Sequence, residues 1–231
     1  MLDLPPFPGF RDDALAFLSA LKTHNRRDWF KPRKAVYEDE VLWPLRCLVA
    51  DAARRAHAEG LPLTGDPKAS LFRIYRDTRF SKNKNPYKTH AAAVFSRSGT
   101  RKDVGVVYVH VEPGASFLGA GFWRPDTALL RRWRTRMAAA PAVFLDVLAR
   151  LRANGLEPGH GGNALKRLPR GFENHAGTEI ADYLRWKSFT VSRAVDDAAL
   201  ATPAFTDAVV AMMHDALPLL EFGWHEDAVD G

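Results

Sequence analysis

The middle of the chain contains several β-forming segments in succession, with no helical pattern between them. The strongest is 104–112 (VGVVYVHVE), and the Pro-Gly turn at 113–114 separates it from a hairpin partner at 116–123. Two further candidate strands precede it, at 71–76 and 91–95. Strands joined by short turns pair antiparallel, because parallel pairing needs a long crossover connection. The segment therefore favours an antiparallel sheet over a doubly wound one.

Helical patterns lie on both sides of these strands. Apolar residues recur at helical spacing at about 11–23 and 34–57, with a kink or restart predicted at Pro44, and again at 126–139, 141–153 and 203–220. A further strand is predicted at 188–193. The predicted fold is α+β, with a central, mainly antiparallel sheet of about four to six strands flanked by N- and C-terminal helices. Residues 1–231 show no repeat or linker and are predicted to form a single domain.

Composition excludes several classes of protein. The 231 residues are 46% hydrophobic and 26% charged, which excludes a disordered or collagen-like chain. The single cysteine, Cys47, excludes an internal disulfide and a multi-thiolate zinc site. No apolar stretch is long enough to span a membrane, and residues 1–10 lack a signal-peptide pattern. We therefore expect a cytoplasmic protein that does not bind membranes.

The positive charge of the chain is confined to one segment. Residues 68–88 carry seven basic side chains and one acid, Asp77, a net charge of +6 that equals the formal net charge of the whole chain. The remainder is neutral on balance. A confined cluster of this kind indicates a positive site rather than diffuse affinity for polyanions.

The cluster has the composition of an anion site. In an extended chain Arg73, Tyr75, Asp77 and Arg79 share one face, where Asp77 can orient the arginines by bidentate hydrogen bonds. The predicted ligand-binding residues of this segment are Arg73, Arg76, Asp77, Arg79, Lys84, Tyr87 and Lys88. Phosphate is the natural complement of these donors. The alternative is a structural ion-pair network beside a solvated lysine loop.

These residues also carry a resemblance to a known family. The run 73–80 (RIYRDTRF), followed by Asn83, Lys84 and Tyr87, resembles the RxxRDxRF…[DN]KxxY signature of an uncharacterised, mainly bacterial family catalogued as a domain of unknown function. Segments 25–30, 108–114 and 165–172 are similar to other motifs of that family. The resemblance covers nearly the whole chain and implies a stand-alone single domain, with no known activity, substrate or catalytic residue. His90 departs from it, since asparagine is expected there.

A second constellation is His110 and Glu112, which point the same way on a strand. They are the candidate catalytic residues, as a general acid or base. The alternative is that both are polar residues on the solvent side of a half-buried sheet. A metal triad would need another histidine, and the other seven lack HxH or HxxxH spacing, so we expect no metal site.

A third constellation is the basic loop 166–172, whose cations could close over the same anion. They are Lys166, Arg167 and Arg170. The alternative is a loop pinned by its apolar residues with its charges in water. No phosphate-binding loop or dinucleotide fingerprint appears, and we expect no cofactor.

The residues leave four functions open. Binding of a phosphate-bearing or polyanionic ligand is the interpretation they favour. An enzyme acting on a small phosphorylated or carboxylated substrate, with His110 or Glu112 as acid or base, is the first alternative. A nucleic-acid binder and a structural or interaction protein are the others. The sequence predicts neither whether the chain is an enzyme nor its oligomeric state.

Overall fold

A computed structural model describes residues 4–225 of the chain. Residues 1–3, which belong to the segment 1–10 considered above for a signal peptide, and residues 226–231 lie outside the described range. The α-helices are α1 (Asp12–Thr23), α2 (Arg27–Phe30), α3 (Lys34–Val36), α4 (Trp43–Ala58), α5 (Thr127–Ala139), α6 (Pro141–Ala153), α7 (Ala181–Arg185), α8 (Asp197–Leu200) and α9 (Phe205–Trp224). Short 3-10 helices at Lys31–Arg33 and Glu173–His175 and a π-helix at Tyr37–Leu42 complete the helical segments described.

Four strands form one antiparallel sheet in the order β1-β2-β3-β4. They are β1 (Ala91–Phe95), β2 (Val106–Val111), β3 (Phe117–Phe122) and β4 (Phe189–Ala194). In the β1–β2 register, Ala92 lies opposite His110 and Val94 lies opposite Tyr108. Since side chains alternate between faces, the valines at 107, 109 and 111 take the other face, where they are buried. The α+β fold with a central antiparallel sheet is confirmed.

The candidate strand at 71–76 is not a continuous strand. It makes two isolated antiparallel bridges, Leu71 with Ala93 and Tyr75 with Tyr87. The two bridges differ in register by two residues, so no single ladder can include both. The segment nevertheless lies along β1 and the residues before it, because Phe72 N–H donates to the Ala92 carbonyl and Lys88 N–H donates to the Ile74 carbonyl.

The predicted break at Pro44 is confirmed as a restart. The π-helix ends at Leu42, and the N–H of Trp43 donates to the carbonyl of Glu38, five residues earlier. Pro44 then lies in the first turn of α4, where a missing N–H is tolerated. The chain therefore remains helical from Lys34 to Ala58 with one wide turn in the middle.

The first of two compact units contains the chain up to Asp103, with Val107–Gly119 and Arg193–Met213. Its core is rich in aromatic side chains, and α4 packs against β1. Within this unit Asp51 is a buried carboxylate of α4 that accepts from the Phe7 N–H at 3.3 Å and the Thr206 hydroxyl at 3.2 Å. Arg54 pairs with it at 3.2 Å. These bonds compensate its burial and fix the N-terminal segment to α4.

The second unit contains Val104–Val106, Ala120–Ser192 and the chain from His214. Its buried aromatic residues pack edge to face, as Trp133 does with Phe122 and Phe189. Arg134 is buried beside them, and its guanidinium donates to the carbonyls of Leu184 and Trp186. The prediction that the whole chain is a single domain stays a prediction.

Within residues 4–225, no helix has both the length and the apolar composition needed to cross a membrane.

Gly121 should be the glycine of the second unit least tolerant of a side chain. Its φ is +120°, and a Cβ would lie 2.1 Å from the Phe189 carbonyl oxygen. We expect Gly121→Ala to lower the free energy of unfolding by more than about 3 kcal/mol, since backbone atoms must move. Chemical denaturation measures this change.

The matched control is Gly177→Ala in the same unit, where φ is also positive at +82° but a Cβ would meet nothing within 4 Å. It should cost only the backbone penalty of about 1–2 kcal/mol. Equal losses for the two variants would contradict the close approach at Gly121.

Candidate functional site

The first unit contains a cleft of about 340 Å³ formed by two separate segments of the chain. One segment runs from Arg27 to Lys34 and the other from Tyr75 to Tyr87. The lining residues are Arg27, Phe30, Lys31, Lys34, Tyr75, Arg76, Thr78, Pro86 and Tyr87. Four of these are cations, three are aromatic and none is an acid.

A side-chain amide fixes the two walls of this cleft to each other. Asn25 Nδ2 donates to the Tyr87 carbonyl at 3.0 Å, and Asn25 Oδ1 accepts from the Tyr87 N–H at 3.0 Å. The amide thus pairs with Tyr87 as the backbone of a neighbouring strand would. The ring of Phe30 then stacks on that of Tyr87, with ring centroids 4.1 Å apart. Tyr75 completes the aromatic wall and remains 48% exposed.

The cations of the cleft differ in how they are held. Arg76 donates to the Asn85 carbonyl at 3.3 Å and to the Ser81 hydroxyl at 3.4 Å. Lys34 pairs with Glu38 at 2.9 Å. Among residues 4–225, the side chains of Arg27 and Lys31 have no hydrogen-bond or ion-pair partner. The neighbouring acid, Asp28, is paired with Arg26. Two cations therefore reach the cleft without a neutralising carboxylate.

Of the residues predicted in segment 73–88, the cleft includes Arg76 and Tyr87. Asp77 instead holds Arg79, accepting from its Nε at 3.0 Å and its Nη2 at 2.7 Å. This hydrogen-bonded pair lowers the pKa of Asp77 below its usual range. Lys84 donates to the Thr78 carbonyl at 3.0 Å. These contacts order the 77–84 loop. They engage Arg79 and Lys84 within the protein, although the sequence analysis predicted that both bind a ligand.

Arg73 and Lys88 are not among the residues that line the cleft. The Lys88 ammonium lies over the ring of Phe72, 5.1 Å from its centroid, and Arg101 lies 5.7 Å from the same centroid. Burial, together with the charges of Arg101 and Arg73, lowers the pKa of Lys88. Lys88 and Arg101 thus both lie against the ring of Phe72. The rings of Phe72 and Tyr108 meet edge to face, with centroids 5.8 Å apart.

The basic loop belongs to the second unit. The side chains of Lys166, Arg167 and Arg170 are exposed there, and no described residue pairs with them. The prediction that they close over an anion bound by the first cluster stays a prediction.

Sequence reasoning missed the three cations at 27, 31 and 34. Their spacing of four and three residues places them on one face of a helix, and this spacing is visible in the sequence. The segment is helical throughout, passing from α2 through a 3-10 turn into α3. What the sequence lacked was the contact with Tyr75 and Tyr87, more than forty residues further along the chain.

A second cluster of polar side chains lies on one face of β2 in the same unit. Tyr108 Oη is 3.1 Å from His110 Nδ1, and His110 Nε2 is 3.0 Å from Glu112 Oε2. Lys22 Nζ, from α1, is 3.0 Å from Glu112 Oε1. The ring of Phe117 stacks on His110 with centroids 4.7 Å apart. We call this surface the histidine face.

His110 is buried on this face of the sheet, whereas Tyr108 and Glu112 beside it are partly exposed. Its exposed fraction is 8%, because Phe117 covers the imidazole ring. Glu112 is half-buried, and burial by itself raises its pKa. Hydrogen bonds from His110 and Lys22 have the larger combined effect, so the pKa of Glu112 is lowered and the carboxylate is the favoured form. Burial, with a smaller contribution from Glu112, raises the pKa of Tyr108 to about 12.

The histidine face includes a residue that the sequence analysis did not select. His90 directly precedes Ala91, whose partner in the β1–β2 register is Val111. The His90 and His110 ring centroids are 4.2 Å apart. Burial, then the neighbouring His110, lowers the pKa of His90 to about 4. Spacing rules within one strand could not find a residue supplied by its neighbour.

The anchoring of Tyr87 by Asn25 gives a testable prediction. Asn25→Ala leaves the N–H and carbonyl of a buried residue without partners, so we expect the free energy of unfolding to fall by about 2–4 kcal/mol. Asn174→Ala is the control, since Asn174 is exposed and its change should stay within about 0.5 kcal/mol. Urea denaturation measures both, and a loss below about 1 kcal/mol for Asn25→Ala would contradict the anchoring.

Comparison with known proteins identifies the family but no function. Neither the curated proteins nor the solved structures contain a match to this chain. A family model described as a conserved hypothetical protein (DUF2461) matches residues 13–222. This match covers both polar clusters of the first unit and most of the second. The chain therefore belongs to the conserved hypothetical protein family DUF2461.

Proposed function

We propose that the cleft lined by the 27–34 and 75–87 segments binds a small phosphate-bearing ligand. The observation that carries this proposal is the pair of unpartnered cations, Arg27 and Lys31, which line a cleft that no carboxylate lines. Cations brought together without acids repel each other, and a bound phosphate removes that repulsion while accepting their hydrogen bonds.

The shape and lining of the cleft support a small ligand. Its volume of about 340 Å³ is at the lower end of the range for small-molecule sites. Arg76 is held by Ser81 and the Asn85 carbonyl, which limits the entropy it loses on binding. The exposed ring of Tyr75 offers a stacking surface for a planar group attached to the phosphate.

The proposal reassigns several residues of the sequence prediction. Asp77, Arg79 and Lys84 act within the protein by ordering the 77–84 loop, which carries Ser81 to the Arg76 guanidinium. Arg73 and Lys88, together with Lys166, Arg167 and Arg170, remain candidates for contacts to a larger polyanion. We further propose a cytoplasmic location, which is supported by the buried, free thiol of Cys47.

Removing the two unpartnered cations tests the proposal. Calorimetric titration with inorganic phosphate, a nucleoside triphosphate and a single-stranded oligonucleotide should detect binding of at least one of them to the wild-type protein. The double variant Arg27→Gln/Lys31→Gln should weaken that binding at least about tenfold, since two charge-assisted hydrogen bonds are lost. Lys102→Gln removes an exposed cation that does not line the cleft, and its affinity should stay within about twofold of wild type.

A further variant separates this site from the site predicted in the sequence. Arg79→Gln breaks the pair with Asp77 and should change affinity by less than about threefold, because Arg79 does not line the cleft. A large loss in Arg79→Gln, with none in the double variant, would overturn the cleft in favour of the Arg73–Arg79 face. Absence of binding by every probe would overturn the proposal itself.

Binding of nucleic acid is distinguished by its salt dependence. If the oligonucleotide binds across many cations, the logarithm of its affinity should fall with the logarithm of salt by about 0.7 for each phosphate contacted. A cleft that holds a single phosphate group should give a slope of about 0.7, the value for one contacted phosphate. A slope of several contacts would favour the nucleic-acid alternative over the small ligand.

The enzyme hypothesis keeps a separate basis in the first unit. Tyr108, His110 and Glu112 form a hydrogen-bonded chain in which the carboxylate orients the imidazole and the imidazole contacts the hydroxyl. This is the geometry expected of a general base with its orienting group. It supports His110 and Glu112 as the acid–base residues of the enzyme alternative.

A further inference from the structure

We propose that His90, His110 and Glu112 form a binding site for one divalent transition-metal ion of the Zn²⁺ type. One ligand atom from each of these side chains lies within 4.8 Å of the other two. The sequence analysis predicted no metal site because His110 and Glu112 lacked a third ligand. His90, the residue before β1, supplies that ligand. This inference does not depend on the anion cleft.

The geometry requires only side-chain adjustment. Zinc lies about 2.0–2.2 Å from imidazole nitrogen and carboxylate oxygen, so ligand atoms in a tetrahedral site are about 3.3 Å apart. His110 Nε2 and Glu112 Oε2 are already 3.0 Å apart. An ion would bind between these two atoms with the imidazole in the tautomer that carries its proton on Nδ1 and donates it to the Tyr108 hydroxyl oxygen. The largest separation in the group, at most 4.8 Å, must close by about 1.5 Å, which is within the reach of side-chain rotation.

Two of the three ligands are oriented by side chains that would not touch the ion. The Tyr108 hydroxyl engages His110 Nδ1, which directs Nε2 of the same ring toward Glu112. Lys22 at 3.0 Å and Thr89 at 3.4 Å engage Glu112 Oε1, which directs Oε2 toward the imidazoles. Metal-binding histidines and carboxylates are generally held in this way by groups that do not touch the ion.

The ligand types determine the class of ion. Two imidazole nitrogens and one carboxylate suit zinc and neighbouring first-row divalent ions, whereas magnesium and calcium prefer oxygen alone. Three protein ligands leave the fourth tetrahedral position of the ion open for water or an anion. The side chains of Lys22 and Lys88 bring positive charge close to the site, so an anion is favoured at the open position.

Metal titration of the full chain tests this proposal. Protein freed of metal with a chelator and then dialysed should bind one equivalent of Zn²⁺ in competition with a chromophoric chelator. Co²⁺ should produce the visible absorption of a tetrahedral site. His90→Asn and Glu112→Gln should each weaken Zn²⁺ binding at least about tenfold, because each removes one of three ligands.

Two further variants make the result specific. His57→Asn removes an exposed histidine of α4 and should leave Zn²⁺ affinity within about twofold of wild type. Tyr108→Phe keeps the ring but removes the hydroxyl that orients His110, and should weaken binding about tenfold. His110→Asn alters a buried side chain, so thermal unfolding must first establish that this variant folds.

Wild-type affinity in both His90→Asn and Glu112→Gln would overturn the proposal. Failure of the wild-type protein to bind Zn²⁺ more tightly than about 1 mM would overturn it as well. An equal loss of affinity in His57→Asn would assign the ion to the general surface and would also reject the site. None of these outcomes depends on phosphate binding at the cleft.

Discussion

The antiparallel pairing of β1 with β2 is the constraint on which the first unit depends. Its register sets Ala92 opposite His110. Because side chains alternate along a strand, the valines of β2 point to one face of the sheet, where they are buried, and Tyr108, His110 and Glu112 point to the opposite face. A shift of one residue would turn Tyr108, His110 and Glu112 to the face where the valines now pack, and the valines to the opposite face. The cost of that exchange holds the register in place.

Both polar clusters of the first unit follow from this pairing and its extension. Just before the start of β1, His90 lies against His110 and so completes the histidine face. Earlier still, Tyr87 bridges to Tyr75, and Asn25 holds the backbone of Tyr87 from the other direction. Residues 86–95 thus include residues of the cleft, the histidine face and the core.

The basic side chains of segment 73–88 make two kinds of contact within the protein. Asp77 neutralises Arg79, and Lys84 closes the loop on the Thr78 carbonyl, so part of the basic cluster is structural. Arg76 is held from that loop and turned into the cleft. The ion-pair interpretation therefore describes Asp77 and Arg79, while binding of an anion by Arg76 is part of the proposal.

The sequence by itself determined the elements: the three consecutive strands, the restart at Pro44 and the helices on either side follow from local periodicity and turn chemistry. It also located the excess positive charge and selected Arg76, Tyr87, His110 and Glu112. Only the tertiary structure decided which partners these residues meet. Arg27, Lys31 and His90 join them through contacts between distant segments. The sequence could not predict these contacts, because a hydrophobic pattern specifies which face of an element is buried but not which neighbouring element packs against it.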